Sequence, residues 1–273
     1  MSVFRRILVS IFLIGGMASI AFSQAARSPF SSFGIGEYYG NSLAHNQGMA
    51  GVGISNPQYY YLNNKNPALL VYNRLTVFEG GMLVEQRTAR GDSTKEINSN
   101  GNLNYLIMGF PVKPGKWTTS AGLMPYSSVN FVLNYNNDIA GSTNTVDVTE
   151  KGSGGINQFF WSNGVALNQN LSLGLKATYL FSSIINETTN SLTNTTQQVS
   201  YFPTIYERSY IRDLDFSLGV SYHKDSLTNK NYRLNIGAVY DFKTDLNTQL
   251  SQRLERRPIT KGADSVTLAT LNG

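Results

Sequence analysis

Between residues 171 and 181 the chain alternates strictly. Leu171, Leu173, Leu175, Ala177, Tyr179 and Phe181 fall on one side of an extended strand, and Ser172, Gly174, Lys176 and Thr178 fall on the other. The pattern recurs at Leu214, Phe216, Leu218, Val220 and Tyr222, set against Asp213, Asp215, Ser217, Gly219 and Ser221. It returns at Tyr232, Leu234, Ile236, Ala238, Tyr240 and Phe242, set against Arg233, Asn235, Gly237, Asp241 and Lys243. Each run has the ~9 to 11 residues that a tilted strand needs to cross the hydrocarbon layer of a membrane. Aromatic residues fall at the ends, where an interfacial girdle would lie. Less regular runs at about 74–88, 102–112, 116–136 and 157–168 bring the expected number of strands to seven.

The connections alternate as well. Long polar stretches at 89–101, 137–156 and about 186–205 take turns with the short "KPG" (113–115) and "NQN" (168–170) and the moderate "KDSLTNK" (224–230), before a polar tail from about 245. Long external loops and short periplasmic turns are the habit of outer-membrane barrels. The predicted fold is therefore all-β, an antiparallel transmembrane β-barrel, with a periplasmic N-terminus and a first strand running outward. A secreted β-sandwich with a binding role is the bland alternative, because it too alternates and uses polar turns.

The N-terminus agrees with export. Arg5 and Arg6 precede an apolar run from Ile7 to Phe22 that closes on Ala21, Phe22 and Ser23, so residues 1–23 read as a cleavable signal peptide. Loss of Arg5 and Arg6 lowers the net charge from +5 to +3, which implies no nucleic-acid partner. Without cysteine there is neither a disulfide nor a lipid anchor. Charged residues make up 14% of the chain and no second long apolar run exists, so any membrane span must be made of strands. The expected location is the outer membrane of a Gram-negative cell, among its lipids.

Chemistry-bearing constellations are sparse. His45 and His223 are the only histidines and stand far apart, Asp213 and Asp215 read as lumen-facing strand positions, and no phosphate cradle, nucleophile elbow or zinc motif occurs. The expectation is a protein that is not an enzyme and takes no cofactor and no metal.

Residues 24–72 are different in kind. "GMAGVGISNPQYYYLNNKNPALLVY" (Gly48 to Tyr72) is rich in glycine, asparagine and tyrosine, and Lys65 is its only charge. Together with "SPFSSFGIGEYYG" (Ser28 to Gly40) and the Asn66, Pro67, Ala68 triplet ahead of the first strand, it resembles the N-terminus of the FadL family of outer-membrane transport proteins in a Bacteroidetes-type form. "NYLIMGFPVKPGKWTTSAGLMPYSSVNFVLNYN" (Asn104 to Asn136) looks like that family's second strand, tight turn and long third strand.

The resemblance implies a 14-stranded barrel plugged by its own N-terminal segment, with residues 24–72 as the plug and 73–273 as part of the wall. It implies passive uptake of hydrophobic small molecules, such as long-chain fatty acids or aromatic hydrocarbons, with lateral release. Tyr59, Tyr60, Tyr61, Asn66, Pro67 and Ala68 are then the plug and ligand-contact candidates. Met124, Pro125 and Tyr126 are the candidates for a kink that opens a lateral gap, since proline cannot donate to a strand ladder. Some relatives of that family instead serve as partners of a protein secretion system, which is the alternative function. Seven strands make half of such a barrel, so the chain is expected to be an N-terminal fragment, or else an eight-stranded barrel closed by a short strand at 264–270.

Overall fold

The computed structural model describes residues 27–90, 95–138, 145–193, 201–225, 232–258 and 266–272. The expected signal peptide at 1–23 lies outside them. After a short 3-10 turn (Pro29–Ser32), a two-residue strand β1 (Glu37–Tyr38), one helical turn α1 (Ala44–Gln47) and a second 3-10 turn (Pro67–Tyr72), the chain is all strand. The strands are β2 (Val77–Arg90), β3 (Lys95–Lys113), β4 (Trp117–Asp138), β5 (Thr145–Ala166), β6 (Leu171–Thr193), β7 (Tyr201–Lys224), β8 (Leu234–Asp241), β9 (Thr248–Pro258) and β10 (Val266–Asn272). They form one antiparallel sheet of ten strands in the order β10-β9-β7-β6-β5-β4-β3-β2, with β8 beside β7 and β1 beside β4.

The sheet is a simple meander with one interruption. β8 pairs with the Ser217–Lys224 half of β7, and β9 with the Tyr201–Ile211 half. Seven steps from Asp241 to Thr248 oppose six from Ser217 to Ile211, so β8 and β9 are one strand carrying one extra residue at the break. Asp213 and Asp215 hold that break: Asn247 donates its backbone N–H to Asp213 at 3.2 Å, and the Thr244 hydroxyl donates to Asp215 at 3.3 Å. Their work is to satisfy backbone and hydroxyl groups that the ladder leaves over.

Three expectations are corrected. Among the described residues the strand number is ten, because the polar tail forms β9 and β10 and Glu37–Tyr38 forms β1. The stretches read as long loops are mostly strand: β2 and β3 enter 89–101, β4 and β5 enter 137–156, and β6 and β7 enter 186–205. Polar side chains do not end a strand there, since the ladder satisfies the same backbone groups whatever the side chains are. Finally, the sheet is not closed as a barrel, and β10 pairs only with β9 among the described residues. Among the described residues no second sheet faces it, and the sandwich alternative finds no support in this architecture.

The alternation itself is seen, with its sense inverted relative to a water-soluble protein. Leu173, Leu175, Phe216, Leu218, Trp161 and Ile236 are exposed on the convex face, while Ser172, Lys176, Thr178, Ser217 and Ser221 are buried on the concave face. Further along the strands the inward-facing positions turn apolar. Val129, Phe131, Ile156, Leu180, Ile184 and Ile211 pack inward as a second core. The strands of 22 to 24 residues are therefore about twice as long as a bilayer crossing needs.

Residues 27–73 lie on the concave face, and a row of glycines lets them come close. Gly164, Gly174 and Gly219 are in register on β5, β6 and β7. A Cβ on Gly174 would stand 2.2 Å from the Ala68 nitrogen, and one on Gly219 would stand 2.2 Å from the Asn66 side-chain oxygen. Gly174→Val is expected to lift the segment off the wall and destabilise the protein by about 1–3 kcal/mol. Gly101→Ala, whose new carbon would sit 3.6 Å from Val84, is expected to be neutral. Thermal unfolding in detergent, followed by heat-modifiable gel mobility, checks both.

Candidate functional site

The N-terminal segment, here the hatch, holds its shape with asparagine side chains in place of a ladder. Asn66 caps the Pro67–Tyr72 turn: its oxygen accepts from the Ala68 N–H at 3.0 Å, and its amide donates to the Ile54 carbonyl at 2.7 Å and across to the Val220 carbonyl at 3.0 Å. Pro67 follows at the first helical position, where a missing N–H costs nothing. Ala68 is small enough to sit on Gly174. Asn63 accepts from the N–H groups of Lys65 and Asn66 and donates to the Gly53 carbonyl. The Asn73 amide, fully buried, gathers the carbonyls of Gln58, Tyr59 and Tyr61.

The wall donates to the hatch in return. Ser172 reaches the Ala68 carbonyl at 2.9 Å, Lys176 the Asn64 carbonyl at 3.4 Å, and Gln158 the Asn41 side chain at 2.9 Å. Between hatch and wall, Leu43, Leu62, Leu70, Tyr105, Ile107, Met124 and Phe160 form a packed apolar cluster. Two cavities flank it. One of about 310 Å³ lies by the short turns, beside Tyr59, Tyr72 and His223, and one of about 460 Å³ lies at the other end, beside Phe33, Phe131 and Glu207.

The candidate residues separate into three groups. Asn66, Pro67 and Ala68 are buried in the hatch–wall contact. Tyr59, Tyr60 and Tyr61 sit on the turn-side surface, with Tyr60 73% exposed. Met124, Pro125 and Tyr126 lie elsewhere, where β3 and β4 part. The β3–β4 ladder reaches Leu106↔Leu123 and goes no further, and a register shift follows between Pro125 and Ser127 against β5. Beyond it the hatch takes the edge of β4: β1 pairs with Ser127 and Ser128, and the Ser28 N–H donates to the Asn130 carbonyl at 2.9 Å. Met124 accepts from Asn64 at 3.3 Å, and Tyr126 meets Tyr38 edge to face at 5.0 Å.

Several residues that matter here were not singled out from the sequence. Glu37 accepts from both Ser28 and Arg87 and so ties β1 to β2. The glycine row and Lys176 were read as ordinary lumen positions. The signal that would have found the row is that "SNGVA", "LGLK" and "LGV" each place glycine at the same height once the strands are registered. His45 packs flat on Tyr61, with ring centroids 5.2 Å apart, and His223 bonds to Asn235 at 2.5 Å and Asp225 at 3.2 Å. Among the described residues no group of side chains could hold a metal ion.

The profile of the family named BamG matches residues 3–272. The chain belongs to the BamG family. No curated protein and no solved structure matches it. The BamG family is associated with the outer membrane or its assembly machinery.

That match overturns the FadL resemblance, and with it the transport of fatty acids or aromatic hydrocarbons, the hydrophobic ligand as partner, and the secretion-partner and secreted-binding alternatives. The resemblance rests on a glycine-rich segment, the Asn66, Pro67, Ala68 triplet and the strand–turn–strand pattern of Asn104 to Asn136. A cap, a proline and an alanine over glycine are a packing solution open to any segment that must lie flat on a strand wall, so the motif reports the contact and not the cargo. Where an apolar sleeve would run, the structure has the packed cluster around Leu62 and Phe160.

Asn66→Ala removes the cap and leaves two buried carbonyls without their donor, and should cost about 1–3 kcal/mol, read as a lower unfolding midpoint and faster proteolysis of the hatch. His45 gives a pH dependence. Burial holds its imidazole below the ordinary value, and both ring nitrogens are enclosed without a hydrogen-bond partner among the described residues. The neutral ring is therefore the one the fold accepts. Its stabilising contribution is complete above ~6.5 and drains away as pH falls through the lowered value. Unfolding midpoints measured from pH 8 to pH 5 should fall in the wild type and fall less in His45→Phe.

Proposed function

We propose that this chain is a membrane-embedded, non-catalytic component of outer-membrane protein assembly, working with proteins of the β-barrel assembly (BAM) complex. The observation that carries this reading is the BamG match over residues 3–272. The physical chemistry supports the setting. A sheet with leucine, phenylalanine and tryptophan exposed on its convex side and serine, threonine and lysine enclosed on its concave side suits lipid outside and a polar filling inside. In this reading residues 1–23 direct export, and the strands serve as barrel wall with the hatch inside. The turns at 114–116 and 167–170 face the periplasm, and the long polar ends of β4 to β7 stand beyond the bilayer.

The role follows from what the parts can do. A hatch pinned by buried asparagines and a glycine contact is a fixed surface, suited to presenting side chains to a neighbouring protein. The test is depletion in the native cell. Steady-state levels of several unrelated outer-membrane barrel proteins should drop at least severalfold while their transcripts do not, and uptake of a fatty acid should fall no faster than those levels do. Unchanged barrel-protein levels after full depletion would remove the assembly role.

A further inference from the structure

The turn-side end of the molecule carries a groove that the hatch–wall contact does not use. The cavity of about 310 Å³ beside Tyr59, Tyr72, Arg74, Asn170 and His223 shares Tyr59 and Arg74 with a second hollow of about 340 Å³ beside Tyr60 and Leu75. The two make one trough along the end of the sheet. Its apolar floor is in the open: Tyr60 and Leu75 are exposed, although neither lies on the lipid-facing side of a strand. The tyrosine backbone is not loose, because Asn73 holds the carbonyls of Gln58, Tyr59 and Tyr61 from beneath.

Charge gives the trough a direction. Arg74, Lys113, Lys116, Lys224 and Arg233 stand exposed at this end. Among the described residues of the turns here the acid is Asp225, and it is already engaged by Arg233 at 2.7 Å and His223 at 3.2 Å. The opposite end of the sheet, by contrast, mixes signs, with Glu150, Glu187 and Glu207 beside Lys151 and Arg208.

From this juxtaposition we infer that the trough formed by Tyr59, Tyr60, Tyr72, Arg74 and Leu75 is the docking site for an extended, acidic segment of a partner protein. The inference rests on the assembly reading for who the partner is, and on the trough for its chemistry. Rigid tyrosine rings take apolar side chains at little entropic cost, and a guanidinium grips a carboxylate through two parallel N–H donors. The side-chain amide of Gln169, which also lines the trough, matches the N–H and C=O groups of an extended backbone, while Asn168 and Asn170 are engaged in holding the turn itself. A lipid headgroup would use the same basic charge but would have no need of a tyrosine-floored hollow.

The experiment uses the full chain in zwitterionic detergent and a fluorescein-labelled dodecapeptide of alternating glutamate and leucine, read by anisotropy. The glutamate peptide should bind, and should weaken at least tenfold in Arg74→Glu and in Tyr60→Ser. It should keep its affinity in Arg90→Glu, which changes a charge at the far end. Arg74→Gln serves as a milder variant should the reversal disturb folding, and heat-modifiable mobility reports that the variants remain folded. Three results would overturn the inference: no glutamate-peptide binding, equal binding of the matching lysine–leucine peptide, or indifference to both positions. A fourth is that only nanodiscs containing phosphatidylglycerol bind in a way that depends on Arg74, which would make the end a lipid surface. Peptide binding that persists in a protein whose depletion spares barrel-protein levels keeps the trough and discards the assembly role. Loss of barrel proteins on depletion, with no peptide binding, discards the trough alone.

Discussion

A wall whose enclosed face offers serine, threonine and lysine has to be covered by something that hydrogen-bonds to it, and that constraint shapes the hatch, with the cluster around Leu62 and Phe160 supplying the apolar part of the contact. Many apolar side chains of the wall face outward, while the enclosed face is polar along the Ser172–Thr178 and Ser217–Ser221 stretches. Whatever fills the concave face must hydrogen-bond to the wall and bring its own backbone groups already satisfied. The hatch does both. Asn63, Asn66 and Asn73 take care of its internal carbonyls and N–H groups, while Ser172, Lys176 and Gln158 meet it from the wall. Glycine at 164, 174 and 219 removes the side chains that would have held the two surfaces apart.

The same constraint explains what could be read from the sequence. Where one face of the strands is apolar and the other small or polar, alternation at 171–181, 214–222 and 232–242 is the direct result. Further along the strands that division ends. Residues 182–193 of β6 and 201–212 of β7 remain strand because each ladder extends the one below it, yet they are rich in threonine, asparagine, glutamate and arginine, which sequence reading takes for loop. β9 carries no such pattern for the same reason: it pairs with the Tyr201–Ile211 half of β7 on one edge and with β10 on the other. Hydrophobic periodicity measures solvent, and hydrogen-bonded extension continues beyond where the solvent changes.

Candidate residues fared according to whether their role was local or long-range. The cap at Asn66 and the proline after it are written within three residues and were singled out. Their partners on three different strands were not, because matching Gly164, Gly174 and Gly219 requires the register, and register is a property of the folded sheet. Pro125 was picked for its missing donor, and the structure places it two residues past the last β3–β4 pair, beside a register shift. What fills the wedge beyond it is the chain's own Ser28–Tyr39 stretch, tied in by Glu37 and Arg87, and no local pattern announced that. The family resemblance failed on the same ground, since it matched a motif whose physical cause is shared by unrelated hatches.

The two ends of the sheet are built for different surroundings. At the far end, the strands run on past the apolar band and build their own core from Phe131, Ile156, Ile184 and Ile211, so that half is a water-exposed structure with its hydrophobic side turned in. At the turn end the strands stop with the band, and the hatch's Tyr59–Tyr61 loop is carried to the edge and fixed there by Asn73. A loop needed only to fill space would keep its apolar side chains against the wall, as the hatch's Leu43, Leu62 and Leu70 do. Holding Tyr60 outward beside Leu75 on a pinned backbone leaves apolar area in water that the fold itself does not bury, and an unburied cost that is rigidly maintained argues for a surface completed by another molecule.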